Sequence, residues 1–164
     1  MNIVLIGMPG CGKSTIGKML AERLNREFVD CDEYVEEKSG MTIPEIFEKY
    51  GESEFRRREI EAAAELGQRK DLVISTGGGC VERRENIDSF KENGVIVFID
   101  RSIENIFSDI DVSGRPLLAD KKDRLNELYT RRLPLYREYC SVRTENNGSI
   151  DDTIEKIIKE TEKL

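Results

Sequence analysis

The sequence predicts one doubly wound α/β domain, a parallel sheet covered by helices on both faces. Three observations carry that expectation. Short apolar runs at Ile3-Val4-Leu5-Ile6, Leu72-Val73-Ile74-Ser75 and Val95 to Ile99 have the unbroken hydrophobicity of parallel strands buried on both sides. Stretches with helical spacing of apolar residues lie between them, as the crossovers of a parallel sheet require. The 164 residues, 38% of them hydrophobic, suit a single domain over residues 1–164 whose core needs no disulfide or structural metal.

Along the chain, the first strand runs into a glycine-rich turn, and from Ser14 the spacing of Ile16, Met19, Leu20 and Leu24 predicts a helix to about Asn25. A second strand near Phe28-Val29 ends in acidic residues. Asp32 to Lys38, closed by Gly40, and Ile43 to Tyr50, closed by Gly51, read as short helices, and Glu52 to Arg69 as a longer charged one. The third strand meets Gly77-Gly78-Gly79. A helix from about Arg83 to Glu92 leads to the fourth strand, followed by a helical Ser102 to Phe107 and a loop from Ser108 to Asp120. Asp123 to Tyr139 reads as a helix kinked by Pro134. A weak fifth strand near Cys140 to Arg143 and an amphipathic helix from Ile150 to Leu164, with Ile154, Ile157 and Ile158 inward, complete the pattern.

Composition narrows the chemistry. With 26 Lys plus Arg against 33 Asp plus Glu, a net charge of −7, no general attraction to nucleic acid or an anionic membrane is expected, so any anion site must be local. Histidine is absent, which removes Ser-His-Asp and Cys-His triads and imidazole metal sites. Cys11, Cys31, Cys80 and Cys140 form no Cys-x-x-Cys pair, and free thiols fit a reducing cytosol. The opening apolar run ends at Gly7, too short for a signal h-region or a membrane span. A cytoplasmic protein is expected.

Gly7-Met8-Pro9-Gly10-Cys11-Gly12-Lys13-Ser14 fits the pattern G-x-x-x-x-G-K-[ST] between a buried strand and an amphipathic helix. Glycines let successive N–H groups curl around phosphate oxygens, the helix N-terminus adds partial positive charge, Lys13 a full one, and the Ser14 hydroxyl suits Mg²⁺. A glycine-rich turn with a chance lysine is the alternative. Asp30 and Asp32, two apart, would point the same way while the strand persists. One carboxylate could then hold metal-bound water and the other accept a hydroxyl proton. Alternatively, Asp32 caps the helix from Glu33 and Asp30 is a solvated strand end.

The triple glycine offers backbone N–H groups close to a ligand, or is simply a flexible turn. Of Arg56-Arg57-Arg58, at most one or two can reach a common site, because successive helical residues face different ways. One member of Arg131-Arg132, beside Leu133-Pro134-Leu135-Tyr136, fits a buried carboxylate clamp. Arg115, between Gly114 and Pro116, fits a mobile arm over phosphates or a turn residue.

Taken together in this order and spacing, Gly7 to Thr15, Phe28-Val29-Asp30-Cys31-Asp32, Gly51-Glu52-Ser53-Glu54-Phe55-Arg56, Gly77-Gly78-Gly79, Gly114-Arg115-Pro116-Leu117-Leu118 and Arg132-Leu133-Pro134-Leu135-Tyr136 resemble the shikimate kinase family over nearly the whole chain. The resemblance implies a nucleoside-monophosphate-kinase-like fold, a three-layer α/β/α P-loop domain with a five-stranded parallel sheet. It places an acceptor segment at about residues 31–60 and a lid at about 108–120. It also implies transfer of the ATP γ-phosphate to the 3-hydroxyl of shikimate, in chorismate and aromatic amino-acid biosynthesis, by a monomer that requires Mg²⁺.

By that resemblance Gly10, Cys11, Gly12, Lys13, Ser14 and Thr15 bind ATP, Ser14 and Asp30 serve the metal, and Asp32 meets the acceptor hydroxyl as base. Arg56 and Arg132 hold the shikimate carboxylate, Glu59 orients Arg56, Gly77, Gly78 and Gly79 contact substrate, and Arg115 closes over the phosphates. Phosphoryl transfer of this kind relies on positioning and charge neutralisation and needs no histidine.

The resemblance departs at the lid, where Phe107 to Ser113 is acidic instead of basic, and after the last strand, where Glu145-Asn146-Asn147 offers no arginine for adenine. Weaker nucleotide binding than in basic-lid relatives is the expected result, checked by dissociation constants at matched Mg²⁺ and salt. Rival readings are a gluconate kinase or an adenylate-type kinase on the same fold, and a non-catalytic nucleotide-dependent regulator. Intact Lys13, Asp32 and Arg115 weigh against the last.

Overall fold

The computed structural model describes residues 1–109 and 118–164. Strands β1 (Asn2–Ile6), β2 (Glu27–Asp30), β3 (Leu72–Ser75), β4 (Gly94–Asp100) and β5 (Val142–Glu145) form one parallel sheet in the order β2-β3-β1-β4-β5. Val4 pairs with Ile74 on one side and Ile96 on the other, so β1 is central, and all five of its residues are buried.

Period-two alternation divides the strand residues between two cores. Ile3, Leu5, Val73, Val97 and Ile99 face α1 (Lys13–Leu24) and α8 (Ile150–Thr161), where Ile16, Leu20, Ile154 and Ile157 meet them. Val4, Ile6, Ile74, Ile96 and Phe98 face the opposite layer, with Leu66, Phe90 and Tyr136 from α4 (Glu52–Gln68), α5 (Arg84–Lys91) and α7 (Leu118–Tyr139). This is the expected three-layer sandwich. Helices α2 (Cys31–Ser39) and α3 (Ile43–Tyr50) close a smaller core of Val35, Ile46, Phe55 and Ala62 with α4, at the edge of the sheet. A capping box on Thr42 and Glu45 fixes the start of α3.

Several boundaries move. The weak fifth strand lies at Val142–Glu145 instead of Cys140 to Arg143, because only Val142 and Thr144 point inward and one apolar residue sets little register. Pro134 lies inside α7 without ending it. The loop expected over Ser108 to Asp120 is helical at both ends, and residues 110–117 of the lid expected at 108–120 lie outside the described residues. Helix α6 (Ile103–Asp109) takes its first two residues, and α7 takes its last three. Ser102 Oγ accepts from Asn105 N at the start of α6, and the Ser108 hydroxyl donates to the Asn105 carbonyl, so local side-chain bonds carry the helix past Phe107. Arg115 lies outside the described residues. Among those described, no helix is long and apolar enough to cross a membrane.

Sheet order decides where a ligand sits. From β1 the chain crosses to the edge strand β2, returns inward to β3, then passes β1 to β4 and β5 on the other side, so the crevice at the carboxyl ends of β1 and β3 is the topological switch point. The segments after β1, β2 and β3 all open there.

Candidate active site

The turn after β1 enters α1 through Gly12, whose φ of 98° suits glycine and where a Cβ would stand 2.8 Å from Asn146 Nδ2. No side chain caps α1, so its first N–H groups remain free for an anion. Lys13 is buried, and its Nζ donates to the carbonyls of Gly7 (2.7 Å) and Met8 (2.9 Å). The loop's own carbonyls thus hold the ammonium beside the anion site. Cys11 is also buried, with its carbonyl accepting from Asn146 Nδ2 at 2.8 Å. Pro9, Gly10, Gly12, Lys13, Ser14 and Thr15 line one wall of a cleft of about 380 Å³, and Asp30, Asp32, Thr76, Gly77 and Gly78 line the other.

The two aspartates occupy that cleft in distinct roles. The strand ends at Asp30 and α2 begins at Cys31, so the shared-face argument for a persisting strand does not apply. Nor is Asp32 the helix cap. Asp30 caps α2, its Oδ1 accepting from the backbone N–H groups of Asp32 (2.9 Å) and Glu33 (3.3 Å). Its Oδ2 accepts from Ser14 Oγ at 2.9 Å, and Ser14 lies 3.3 Å from Ser75 Oγ. A hydroxyl and one carboxylate, all oxygen, fit the hard donor set of Mg²⁺, which draws its remaining ligands from water and phosphates. No group of three or more His, Cys, Asp or Glu that could cage a metal occurs among the described residues, and a magnesium–nucleotide site needs none.

Asp32, released from capping, stands against Gly77, where a Cβ would lie 3.0 Å from its Oδ1. Burial, with Asp30 and Glu59 nearby, raises its carboxyl to about 6, and Lys13 and Arg56 only partly offset this. A carboxylate tuned upward in this way is a stronger proton acceptor than an ordinary aspartate.

The triple glycine brings two arginines together. A Cβ on Gly79 would stand 2.8 Å from Arg56 Nη2 and 2.9 Å from Arg132 Nη2, and one on Gly78 would stand 3.1 Å from Arg132 Nη1. Both guanidinium groups therefore approach the same point, less than about 6 Å apart. At an effective dielectric constant near 20 their repulsion is about 3 kcal/mol, so each needs a counter-charge. Buried Glu59 supplies one, accepting from Arg56 Nη1 at 3.0 and 3.3 Å. Glu82 supplies the other, its Oε2 accepting from Arg132 Nε (3.2 Å) and Nη2 (3.0 Å).

The ambiguous arginines now separate. Arg132 has a side chain 8% exposed, against 60% for Arg131. Arg57 and Arg58 pair with Glu54 on the outer face of α4. Sequence reasoning missed Glu82, in a 3-10 turn at Cys80–Glu82, and Asn86, whose Nδ2 donates to Cys80 O (3.0 Å) and Glu59 Oε1 (3.4 Å). It also missed the Tyr136 hydroxyl, which donates to Gly78 O at 2.7 Å from a ring stacked on Phe98. No motif marks Glu82 or Asn86, whose partners lie on other elements, and the motif from Arg132 to Tyr136 includes Tyr136 without showing where its hydroxyl bonds.

The geometry matches known proteins closely. The family model described as shikimate kinase matches residues 9–162. A shikimate kinase of Clostridium botulinum (strain Alaska E43 / Type E3) is 48% identical over 158 residues, covering 96% of this chain and 95% of the relative. The solved structure of the shikimate kinase from Acinetobacter baumannii in complex with shikimate superposes with a TM-score of 0.88 at 40% identity, covering 99% of this chain and 93% of that one. A gluconokinase from Sinorhizobium meliloti, at 17% identity and a TM-score of 0.64, shares the fold alone. With the family model matching nearly the whole chain and relatives of this identity, the chain belongs to the shikimate kinase family, whose reaction is the ATP-dependent phosphorylation of shikimate.

Proposed function

We propose that this reaction, transfer of the ATP γ-phosphate to the 3-hydroxyl of shikimate, runs here with Asp32 as the acceptor's base and Arg56 and Arg132 as its carboxylate clamp. The observation that carries the assignment is the convergence of two carboxylate-backed guanidinium groups over Gly79, beside a cleft holding both the phosphate loop and Asp32. A ring carboxylate at the arginines leaves the 3-hydroxyl, two ring carbons along, to meet Asp32.

The N–H groups of Gly10, Gly12 and the start of α1 cradle phosphate oxygens, the Cys11 N–H, which donates to Met8 O at 3.1 Å, closes the loop behind them, and Lys13 moves its ammonium from the loop carbonyls onto the phosphates. Ser14 and, through water, Asp30 would hold Mg²⁺, which would supply charge neutralisation to the transferring phosphate. Asp32 accepts the proton as the acceptor oxygen attacks. Gly77, Gly78 and Gly79 let the substrate lie against backbone, and Arg115 closes over the phosphates by family analogy. The net charge and the free thiols favour a cytoplasmic protein without nucleic-acid or membrane partners, and the family resemblance a single-domain monomer.

A coupled ADP-release assay with Mg-ATP and shikimate, gluconate or AMP tests the reading. Release is expected with shikimate alone. Arg132→Ala should raise KM for shikimate about 10- to 100-fold and leave KM for ATP near its starting value, because a charge-assisted pair to substrate is lost on the acceptor side only. An unchanged KM for shikimate would remove Arg132 from the clamp.

A further inference from the structure

The clamp arginines are held unequally. Arg56 reaches its counter-charge within its own helix, at Glu59 one turn on, whereas Arg132 depends on a residue fifty positions away. That residue, Glu82, ends the turn following the triple glycine, and its own N–H donates to Gly79 O at 3.0 Å, so its backbone closes the turn that presents Gly79. Its side chain then points across to α7. One oxygen takes both the Nε and the Nη2 hydrogens of Arg132, and the other forms an ion pair with Arg131, 2.7 Å from its Nε.

The consequences are geometric. With its Nε–Nη2 edge engaged, Arg132 cannot rotate about its long axis without breaking two charge-assisted bonds, and its Nη1 end is turned toward Gly78. Glu82 cannot follow Arg132 away, because exposed Arg131 anchors its second oxygen. Against the burial that raises it, Arg132 and Arg131 hold the Glu82 carboxyl below its ordinary value, so the anchor stays charged through the neutral range.

We propose that Glu82, anchored by Arg131, is a positioning residue for acceptor binding, holding Arg132 over the triple glycine with its Nη1 end presented to the substrate carboxylate. The inference rests on the reading of Arg132 as part of the carboxylate clamp and extends it to two residues that need not touch substrate. A competing role for Glu82, as an internal carboxylate that substrate must displace, gives the opposite sign.

Steady-state kinetics of the full chain distinguish the two. Glu82→Gln keeps the shape and one acceptor oxygen but removes the charge. It should raise KM for shikimate about tenfold, with kcat within about twofold and KM for ATP unchanged. Arg131→Ala, at a mostly exposed site that tolerates substitution, should raise the same KM about two- to threefold. In an Arg132→Ala background Glu82→Gln should add less than about twofold, because the residue it positions is gone.

An unchanged or lowered KM in Glu82→Gln overturns the proposal. So does a parallel loss of kcat and affinity for ATP, or an undiminished effect in the Arg132→Ala background, either of which marks a general structural role. If Arg132→Ala itself leaves KM for shikimate unchanged, the clamp reading fails and this one with it. If Arg132→Ala raises that KM while Glu82→Gln does not, only the present inference falls.

Discussion

Asp32→Asn is expected to lower kcat by about 10²- to 10⁴-fold and, at the same time, to raise the thermal midpoint. The two effects share one cause. In the folded chain burial and the neighbouring acids lift the Asp32 carboxyl from 3.8 to about 6, so at pH 8 folding forces a charge into a site that resists it. Removing that charge should recover about 1–3 kcal/mol, or about 2–12 °C for a chain of this length.

The sign of the pH dependence follows. Because the folded value lies above the unfolded one, the charge destabilises fully above about pH 6. The penalty fades as pH falls through 6 toward 3.8, where Asp32 is protonated in both states. The gap in midpoint between Asp32→Asn and the parent should therefore be widest near pH 8 and shrink in that window. In the parent, kcat/KM should drop as pH falls through about 6, since a protonated Asp32 cannot take the acceptor's proton. Calorimetry and pH-rate profiles on the two proteins check both. A variant that loses activity without gaining stability would show that Asp32 is not the strained group.

Gly67→Ala is expected to lower the midpoint by about 2–12 °C, a loss of about 1–3 kcal/mol. On helix propensity alone the change should stabilise α4 by about 1 kcal/mol. Packing reverses the sign, since the added Cβ would lie 2.3 Å from Ser89 O and 2.9 Å from Ser89 C, backbone atoms of α5 that cannot swing aside like the end of a flexible side chain. Helices α4 and α5 carry Glu59 and Asn86, so forcing them apart loosens the support of Arg56 as well. KM for shikimate should rise with the loss of stability. A midpoint that is unchanged or higher would mean that the two helices separate freely.

The fold was legible because its signals are local. Continuous apolar runs mark β1, β3 and β4, and the phosphate loop lies between a strand and a helix, so both could be read before any partner was known. Short β5 was misplaced by two residues for want of a second inward-facing apolar residue. Residue spacing left the roles of Asp30 and Asp32 open, and the structure separates them through bonds to Ser14, Asp32 N and Glu33 N. Arg56 and Arg132 were visible as candidates, but neither spacing nor composition could show that they meet over Gly79. Glu82 was illegible for the same reason, being one of many acidic residues in a chain with 33 of them until its partners on α7 are known.

The capping of α2 has a consequence for how the two substrates sense each other. A single side chain, Asp30, grips Ser14 on the phosphate side with one oxygen and the backbone N–H of Asp32 on the acceptor side with the other. On the proposed reading, any shift that nucleotide and metal impose on that carboxylate reaches, across one carbon atom, the residue proposed to meet the hydroxyl. On that reading Asp30 is bonded to both half-sites, and whatever free energy links their ligands through it is reciprocal.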